Sequence, residues 1–364
     1  MFLHCDNVDR ELDPALPIIL QFPPFRFSTD SWNKLSNTSY IIQLDESFNK
    51  DKAKLISYFK TNKLFQRTQI IARTYLSTKF DREIISVFPK GLKIICHAGA
   101  GYDLIDTSSL IERKIQLSNV PILNNPSTAD THLYLLIGAM RNFYNGRVNL
   151  NKGLWKNQIC AGAPIGHNPN NQTLGILGLG GIGKEILERV KPLNFKKVIY
   201  YNRSKLSQQE EKDLSFINQN KSLDLSYVSF NDLLSQSDVI SLNIPLNDST
   251  FHIINQENIL KMKDNVVIIN TSRGGIINES HLLKYLKSGK ISSFGTDVFE
   301  NEPLASQELI DLPQVIATPH MGTHTYEAIA GMEECVIQNI YHYLSTGKVQ
   351  NIVPEQLNHP NFVQ

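Results

Sequence analysis

The chain has 364 residues, 41% of them hydrophobic and 20% charged, and its 36 Lys and Arg against 35 Asp and Glu leave a formal charge of +1. This composition is typical of a soluble globular protein, and the length predicts two domains, because one ordinary hydrophobic core does not extend so far. The near-zero charge and the lack of an apolar run of ~20 residues predict neither a nucleic-acid nor a membrane partner.

The N-terminal stretch MFLHCDNVDRELDP is acidic where a secretory signal would be basic and then apolar, which predicts a cytoplasmic protein. The four cysteines stand singly, at Cys5, Cys96, Cys160 and Cys335. Without a CxxC pair they indicate neither a zinc site nor a disulfide framework. His324 follows His320 by four residues, but no carboxylate or cysteine stands at a supporting spacing, so no metal is predicted.

Short apolar runs alternate with helical stretches along most of the chain. Before residue 120 the runs are LPIILQF, SYIIQL, TQIIA, LKIICHAG and IQLSN, and after residue 170 they are QTLGILGLG, KKVIYYN, SDVISLNIP, DNVVIINTS and ISSFGTDV. Runs of this length without period-two alternation are typical of parallel strands covered on both faces. The pattern predicts an α/β fold with two doubly wound domains.

Three other segments complete the organisation. A long apolar helix is predicted from about 127 to 149, either buried or facing a partner. The polar stretch 205–226 is interpreted as a surface insertion. The C-terminal helix is predicted to stop at Gly347 and to pack back on the first domain.

The stretch LGLGGIG contains Gly178-x-Gly180-x-x-Gly183, directly after the strand TLGIL and at the start of the helix GIGKEILERV. In this context the glycines permit a tight turn and a close approach of the backbone to a pyrophosphate, and the helix N-terminus favours its negative charge. The motif predicts a dinucleotide site, the alternative being a glycine-rich turn without a ligand.

The side chain at the tip of the next strand selects the cofactor. An acid for the adenosine ribose is expected about 20 residues after the glycines. That count reaches Arg203, and VIYYNRS contains no Asp or Glu. Arg203, with Asn202 and Ser204, offers donors for a 2'-phosphate, which predicts NADPH (NADP+) over NADH. A solvated loop arginine is the alternative.

Three charged residues follow successive strands in the second half, namely Arg273, Glu302 and His320. Open α/β sheets place ligands at the carboxyl ends of their strands. An arginine can pair with a carboxylate, a histidine can protonate a carbonyl oxygen, and an acid can keep that imidazole charged and oriented. Singly each has an ordinary structural explanation, but their shared spacing favours reduction of a 2-oxo acid.

Most of the chain is covered by a set of further motifs: KIICHAGAGYDLID, STAD, KGLW, TLGILGLGGIGKEI, YYNRS, SDVISLNIPLNDSTFHIIN, MKDNVVIINTSRGGIINE, SGKISSFGTDVFENEP, TPHMGTHT and IVPE. Together they closely resemble the D-2-hydroxyacid dehydrogenase family, specifically its NADPH-using glyoxylate/hydroxypyruvate reductase branch. The resemblance implies a Rossmann nucleotide-binding domain at 122–320, inserted in a flavodoxin-like substrate-binding domain at 1–121 and 321–364. Thr296 departs from the family pattern, in which leucine is more usual.

The resemblance also implies roles for individual residues. Arg273 would clamp and polarise the substrate, Glu302 would partner the histidine, His320 would be the general acid/base, and the backbone of Ala100 and Gly101 would hold the substrate carboxylate. The residues implied to line the cofactor are Gly178, Gly180, Gly181, Ile182, Gly183, Asn202, Arg203, Ser204, Pro245, Thr250, Thr271, Ser272, Arg273, Asp297, His320 and Gly322. The long helix, with Trp155 beyond it, resembles the family's dimer arm and implies a homodimer.

The predicted function is therefore NADPH-dependent reduction of small 2-oxo acids, glyoxylate and hydroxypyruvate, to 2-hydroxy acids. Two alternatives stay open. A reductase of bulkier 2-oxo acids, of the D-mandelate dehydrogenase type, would carry the same motifs and differ in pocket residues near Arg73, Thr74 and Tyr102. A dinucleotide-sensing corepressor on the same fold would bind the cofactor without turnover.

Overall fold

The computed structural model describes residues 1–4, 12–74, 76–218 and 221–362, so that Cys5 and half of the acidic N-terminal stretch lie outside the described residues. The chain divides into two compact units. Met1–Asn124 and Thr325–Gln364 form the first unit, and Asn125–His324 form the second. The sequence predicts these boundaries after residues 121 and 320.

The strands are β1 Phe2–His4, β2 Ile18–Phe22, β3 Tyr40–Gln43, β4 Ile70–Thr74, β5 Ile94–Ala98, β6 Gln116–Ser118, β7 Thr173–Leu177, β8 Lys197–Tyr201, β9 Phe216–Asn218, β10 Lys221–Ser222, β11 Leu225–Tyr227, β12 Val239–Leu242, β13 Val266–Asn270, β14 Ile291–Thr296 and β15 Val315–Ala317. The α-helices are α1 Thr29–Leu35, α2 Lys52–Thr61, α3 Arg82–Ser86, α4 Thr107–Glu112, α5 Asn125–Met140, α6 Phe143–Asn151, α7 Gly181–Val190, α8 Gln208–Ser215, α9 Phe230–Gln236, α10 Gln256–Lys261, α11 Glu279–Lys287, α12 Gln307–Ile310, α13 Tyr326–Thr346 and α14 Pro354–Leu357. None of the described helices has the length and apolar character that crossing a membrane requires.

The first unit is built on a six-stranded sheet in the order β1-β3-β2-β4-β5-β6, in which every pair is parallel. β2, β4 and β5 are buried along their whole length. Strands buried on both faces need apolar side chains at consecutive positions, which is the pattern that the sequence shows. All the runs predicted as strands before residue 120 form strands, and β1 is an additional one at the edge.

Helix α13 covers one face of this sheet. Its residues Val336, Ile337 and Ile340 belong to one buried cluster with Ile19 of β2 and Ile41 of β3. Gly347 ends the helix with a φ of 76°, a left-handed conformation that glycine adopts without strain. The predicted stop signal and the predicted return of this helix to the first domain are both confirmed.

A buried carboxylate ties α13 to the segment that follows β2. Glu333 is 4% exposed. Its Oε1 accepts a hydrogen bond from the amide of Arg26 at 2.9 Å, and its Oε2 accepts from the amides of Phe27 at 2.8 Å and Ser28 at 2.7 Å. Ser28 is the N-cap of α1, and Arg26 and Phe27 directly precede it, so one side chain pairs with the N-cap amide and fixes the segment that leads into the helix.

The second unit is built on a seven-stranded sheet in the order β11-β8-β7-β12-β13-β14-β15, again entirely parallel. β9 and β10 form a small antiparallel pair apart from it. From β7 the polypeptide first adds β8 on one side of β7. It later crosses over and adds β12 on the other side of β7. Ligands bind at such a reversal of strand order, beyond the carboxyl ends of the strands.

The long helix predicted over 127–149 is two helices, and that prediction was wrong in its continuity. Asn142 adopts a left-handed conformation, φ 52°, and separates α5 from α6. Helix α5 is core, with Leu135 and Leu136 fully buried. After the break, α6 and the segment beyond it expose large apolar side chains: Phe143, Tyr144, Leu150, Trp155, Ile159 and Ile165. The first half is therefore buried, as one of the two alternatives predicts, and the second half is exposed; its contact with a partner stays a prediction.

The stretch 205–226 is not a simple surface insertion. It contains α8 and most of the edge strand β11, which pairs with β8. Leu223 is buried, and Leu206 and Leu214 pack against the same core. These few leucines are spaced among many polar residues, so that the apolar face of the segment is too sparse to register as a strand or helix pattern.

We expect Glu333→Ala to lower the free energy of unfolding by about 2–4 kcal/mol, because three amides lose their shared buried acceptor. Gln338→Ala, on the exposed side of the same helix, is the matched control and should change it by no more than roughly 0.5 kcal/mol. Denaturant unfolding of both variants measures the difference. Equal stabilities would show that the carboxylate does not hold this segment.

Candidate active site

The glycine loop connects β7 to α7 and fulfils two separate requirements. Gly178 has a φ of 98°, and a Cβ there would lie 2.7 Å from the carbonyl oxygen of Asn243; a Cβ on Gly183 would lie 2.3 Å from the carbonyl oxygen of Gly178. These two glycines are needed by the packing of the chain itself. A Cβ on Gly180 would meet no described atom within 4 Å. The structure thus leaves open space at Gly180, beside the N-terminus of α7.

The rest of this loop faces the protein. A Cβ on Gly181 would lie 2.4 Å from Nδ2 of Asn125, the first residue of α5. The side chain of Ile182 is partly buried against the core of the second unit. Both positions therefore fix α7 relative to α5 and the sheet.

The three residues after β8 differ in their surroundings. Asn202 braces the glycine loop, because its Oδ1 accepts a hydrogen bond from the amide of Leu179 at 2.7 Å. Arg203 and Ser204 are exposed. Lys205, the next residue, lies 3.6 Å from Glu211 of α8. The end of β8 thus presents an exposed arginine and a hydroxyl beside the glycine loop.

The loop after β12 is closed by one side chain. The hydroxyl of Thr250 donates to the carbonyl of Pro245 at 2.7 Å and accepts from the amide of Asn247 at 2.8 Å. Pro245 and Thr250, which the sequence predicts to line the cofactor, therefore lie together in one turn at the carboxyl edge of the sheet.

Arg273 is positioned by the turn after β13. The buried side chain of Asn270 accepts from the amide of Ser272 at 3.0 Å and donates to the carbonyl of Arg273 at 2.9 Å. A Cβ on Gly274 would lie 1.9 Å from the backbone of Phe299, so this turn touches the segment that leads to Glu302. Arg273 itself is half-buried, and its Nη1 donates to the carbonyl of Ser272 at 2.8 Å.

Glu302 and His320 form a hydrogen-bonded pair. Oε2 of Glu302 lies 2.7 Å from Nδ1 of His320, and the two side chains are 35% and 42% exposed. Because an ionised carboxylate only accepts, Nδ1 carries a hydrogen and Nε2 points away from this partner. Oε1 of Glu302 accepts from the amide of Phe299 at 2.9 Å, which fixes the carboxylate in turn.

The surroundings of Glu302 keep it ionised. Burial acts to raise its pKa, but the hydrogen bond and positive charge of His320, the amide of Phe299 and the charge of Arg273 together outweigh burial and hold the pKa of Glu302 below its ordinary value. At neutral pH Glu302 is therefore a carboxylate that accepts the hydrogen bond from Nδ1 of His320.

Asp297 holds the segment that carries His320. It is 1% exposed. Its Oδ1 accepts from the hydroxyl of Thr318 at 2.5 Å and the amide of Met321 at 2.6 Å, and its Oδ2 accepts from the amide of Gly322 at 2.7 Å. Burial raises the pKa of Asp297, although these hydrogen bonds and the charge of His320 oppose it. The loop it organises holds His320 in a left-handed conformation, φ 54°.

The site residues predicted from the sequence fall in both units. Those after β7, β8, β12, β13, β14 and β15 lie at the carboxyl edge of the second unit's sheet. Ala100 and Gly101 belong to the first unit, in the loop after β5, where Ala100 O accepts from Asn119 Nδ2 at 2.7 Å and Gly101 O lies 3.0 Å from Nε2 of His97. In the described part of the chain, neither the amide of Ala100 nor that of Gly101 has a hydrogen-bond acceptor.

Several residues that shape this edge were not predicted from the sequence: His132, Ser241, Asn243, Asn270 and Thr318. Four of them interrupt or end an otherwise apolar run, which is the only sequence signal they give. Thr296, noted as a departure from the family pattern, donates its hydroxyl to the carbonyl of Val298 at 2.7 Å and so stabilises the turn between β14 and Glu302. Within the described residues no cluster of His, Cys, Asp or Glu could hold a metal ion.

Comparison with known proteins identifies the family. The family model described as D-isomer specific 2-hydroxyacid dehydrogenase, NAD binding domain, matches residues 133–322. Glyoxylate reductase 1 of Saccharomyces cerevisiae is 44% identical over 94% of this chain and 96% of its own length. 4-methyl-2-oxopentanoate reductase A of Aspergillus oryzae is 40% identical over 94% of this chain and 99% of its own.

The fold agrees with these sequence relationships. The crystal structure of a glyoxylate reductase from Paecilomyes thermophila superposes with a TM-score of 0.84 at 38% identity, covering 94% of this chain and 99% of that one. The two parallel α/β sheets, with a Rossmann fold in the second unit, are the architecture of that structure. The chain belongs to the D-isomer specific 2-hydroxyacid dehydrogenase family.

Proposed function

We propose that the protein reduces small 2-oxo acids, with glyoxylate and hydroxypyruvate the leading substrates, to 2-hydroxy acids, and that NADPH is its preferred reductant. The observation that carries the proposal is the Glu302–His320 hydrogen bond of 2.7 Å, with Arg273 close enough for its charge to lower the pKa of Glu302. A proton donor and a cation at the same sheet edge are what reduction of a 2-oxo acid requires. The relatives named for glyoxylate reduction support this substrate class.

A nicotinamide dinucleotide fits the carboxyl edge of the second unit. The open space at Gly180 beside the N-terminus of α7 suits a pyrophosphate, because the amides and dipole of that helix favour negative charge. The residues after β8 and β12 and the turn at Thr271 would hold the two ends of such a molecule. When bound, the dinucleotide supplies the hydride that reduces the carbonyl carbon.

The proton comes from His320. Its Nδ1–H donates to Glu302, so Nε2 is the ring nitrogen left to protonate the carbonyl oxygen of a 2-oxo acid. The ionised Glu302 stabilises the imidazolium form before the transfer and keeps the ring oriented. Arg273 pairs with the substrate carboxylate and polarises the carbonyl, since its guanidinium is permanently charged and can bind two oxygens at once.

We also propose a carboxylate-binding role for the loop after β5 in the first unit. The amides of Ala100 and Gly101 have no acceptor in the described part of the chain, and backbone N–H groups stabilise carboxylates well. On this assignment Met1–Asn124 with Thr325–Gln364 is the substrate-binding unit and Asn125–His324 the dinucleotide-binding unit.

A preference for NADPH rests on the end of β8. Arg203 and Ser204 are exposed there, and residues 202–204 contain no Asp or Glu, so a 2'-phosphate would find donors directly after the strand where a free ribose would find no carboxylate. Asn202 contributes indirectly in this proposal, because its side chain holds the amide of Leu179 in the glycine loop.

A second candidate function is reduction of bulkier 2-oxo acids. It is favoured by the similarity to 4-methyl-2-oxopentanoate reductase A, at 40% identity over 94% of the chain. The acid, the cation and the dinucleotide site would be the same, and only the pocket for the substrate side chain would differ. Comparing kcat/KM for glyoxylate, hydroxypyruvate and 4-methyl-2-oxopentanoate decides between the two.

The homodimer also belongs to this proposal. Helix α6 and the segment after it expose large apolar side chains, including Trp155 at 67% and Ile165 at 97%. A row of exposed apolar residues of this size marks a protein–protein contact. A cytoplasmic location remains a prediction from the sequence.

His320→Gln should lower kcat for glyoxylate reduction by roughly 10²–10⁴-fold, because the amide cannot deliver a proton. The dissociation constant for NADPH, measured by fluorescence titration, should change little. His342→Gln, on the exposed side of α13, is the control and should keep wild-type turnover. Near-normal turnover in the His320 variant would exclude this histidine as the acid.

Arg203→Ala should raise the dissociation constant for NADPH about 10–100-fold and leave that for NADH unchanged, since only the former carries the 2'-phosphate. Lys212→Ala, which removes an exposed positive charge from α8, controls for the general loss of charge. A lower dissociation constant for NADH than for NADPH in the wild-type protein would contradict the proposed preference for NADPH.

Two glycine variants separate ligand binding from stability. Gly180→Ala should weaken both dinucleotides about tenfold without lowering Tm, because its Cβ enters space that the chain leaves open. Gly183→Ala should lower the free energy of unfolding by about 1–3 kcal/mol, because its Cβ would overlap the carbonyl of Gly178. Unchanged binding by Gly180→Ala would mean that no phosphate approaches this loop.

A further inference from the structure

A chain of buried hydrogen bonds crosses the second unit without involving Arg273, Glu302 or His320. His132 of α5 is fully buried; its Nδ1 lies 3.0 Å from the hydroxyl of Thr271 and its Nε2 lies 3.0 Å from the hydroxyl of Ser241. The amide nitrogen Nδ2 of Asn243 donates to the same Ser241 hydroxyl at 2.8 Å. We call these four residues, Asn243, Ser241, His132 and Thr271, the His132 chain.

Both ends of the His132 chain lie at the edge where the dinucleotide is proposed to bind. Leu242, the last residue of β12, pairs with Asn270, the last residue of β13. Asn243 and Thr271 are the next residues, so they leave the sheet side by side on strands about 4.8 Å apart. Asn243 also touches the glycine loop, since a Cβ on Gly178 would lie 2.7 Å from its carbonyl oxygen.

The directions of these bonds follow from the Ser241 hydroxyl, which accepts from Asn243 and has Nε2 of His132 as its acceptor among the described residues. Burial lowers the pKa of His132 to about 3, so the imidazole is neutral and has one nitrogen that donates and one that accepts. Asn243 donates to Ser241, the Ser241 hydroxyl then donates to Nε2 of His132, and Nδ1–H donates to Thr271. The hydroxyl hydrogen of Thr271 and the oxygen Oδ1 of Asn243 are left at the two ends. If the amide of Asn243 is turned over, every bond reverses, and the ends again present one donor and one acceptor.

The end at Asn243 is unsatisfied in the part of the chain that the structure describes. Its Oδ1 is buried, and it has no hydrogen-bond partner among the described residues. A buried amide oxygen without a donor is unfavourable, and buried polar groups in proteins are nearly always paired. A ligand that donates a hydrogen bond at this point would satisfy it.

The position of Asn243 in the sheet indicates which part of a dinucleotide would donate a hydrogen bond to its Oδ1. In the order β8-β7-β12-β13, Arg203 follows the strand on one side of β7, and Asn243 and Thr271 follow the strands on its other side. The second side continues to the strands that carry Arg273, Glu302 and His320, where hydride transfer has to occur. The nicotinamide end of the dinucleotide would therefore contact Asn243 and Thr271.

We propose that Asn243 and Thr271 bind the nicotinamide end of the dinucleotide through one accepted and one donated hydrogen bond, and that His132 is a positioning residue that orients both side chains. The proposal rests on the dinucleotide site of the proposed function. The group that donates to Asn243 is neutral, either a hydroxyl of the ribose next to the nicotinamide or the N–H of its carboxamide. His132 and Ser241 touch no ligand. They orient the two end residues so that one presents a hydrogen-bond donor and the other an acceptor.

The test measures dissociation constants by titration calorimetry for NADPH, NADH and 2',5'-ADP, the last of which lacks the nicotinamide end. Asn243→Leu should raise the constants for NADPH and NADH about tenfold and leave that for 2',5'-ADP unchanged. His132→Leu and Ser241→Ala should raise the first two about three- to tenfold, also without effect on 2',5'-ADP. Ser293→Ala is the matched control, because Ser293 is a buried serine of β14 that is not part of the His132 chain. This variant should bind all three ligands as the wild type does.

The selectivity of the loss is the decisive result. A role of the His132 chain in stability alone would leave all three constants unchanged, or would weaken 2',5'-ADP as much as NADPH, and either result would overturn the proposal. Ser241→Ala removes a single oxygen, so it keeps the test valid if His132→Leu does not fold. Titration with 2'-phospho-ADP-ribose separates the two donors: in Asn243→Leu its binding weakens if the ribose hydroxyl is the donor, and stays unchanged if the carboxamide is.

The outcome is independent of the substrate. If the wild type binds NADPH and reduces no 2-oxo acid, the proposed function fails while the selective loss in the variants can still be observed. If the wild type reduces 2-oxo acids and the variants bind NADPH normally, the inference about the His132 chain fails alone.

Discussion

Every strand of the second unit's main sheet runs in the same direction, and this constraint determines where its chemistry can be. Segments that are far apart in the chain, after β7, β8, β12, β13, β14 and β15, all deliver their polar residues to one edge. The central strands β12 and β13 are buried along their whole length, so their side chains are committed to packing, and only the residues past their carboxyl ends are available for a ligand. The glycine loop, Arg203, Arg273 and the Glu302–His320 pair meet there for that reason.

Two carboxylates at this edge, Asp297 and Glu302, lie five residues apart and have different roles, one structural and one chemical. Burial raises the pKa of Asp297, whose oxygens are committed to Thr318, Met321 and Gly322. Glu302 is less buried, and the charges of His320 and Arg273 lower its pKa. The first acid holds the loop of His320 in place, and the second is the ionised partner that an imidazolium needs.

Much of this architecture could be predicted from the sequence, because its signals are local. Apolar runs without alternation indicated parallel strands, and Gly178, Gly180 and Gly183 indicated the loop after β7 by their spacing and their position between a strand and a helix. Arg273, Glu302 and His320 could be identified as candidates because each follows a strand, and strand ends in parallel sheets share an edge.

The features that escaped prediction depend on contacts between distant segments. His132 lies 139 residues from Thr271 and 109 from Ser241, so nothing near any one of them in the sequence reveals the hydrogen bonds. The left-handed Asn142 that divides α5 from α6 occupies a position where a continuing helix would fit the same sequence pattern. The edge strand β11 is paired on one side only and is three residues long, so it offers no run of apolar residues of the kind that indicates a buried strand.

The most direct test of the account is to mix the wild-type protein with NADPH and glyoxylate, and to follow oxidation of the nicotinamide together with formation of glycolate. We expect oxidation that depends on the 2-oxo acid, with one glycolate formed for each NADPH consumed. Tight binding of NADPH without oxidation by glyoxylate, hydroxypyruvate or 4-methyl-2-oxopentanoate would contradict it, and would mean that the pair of Glu302 and His320 does not serve 2-oxo acid reduction.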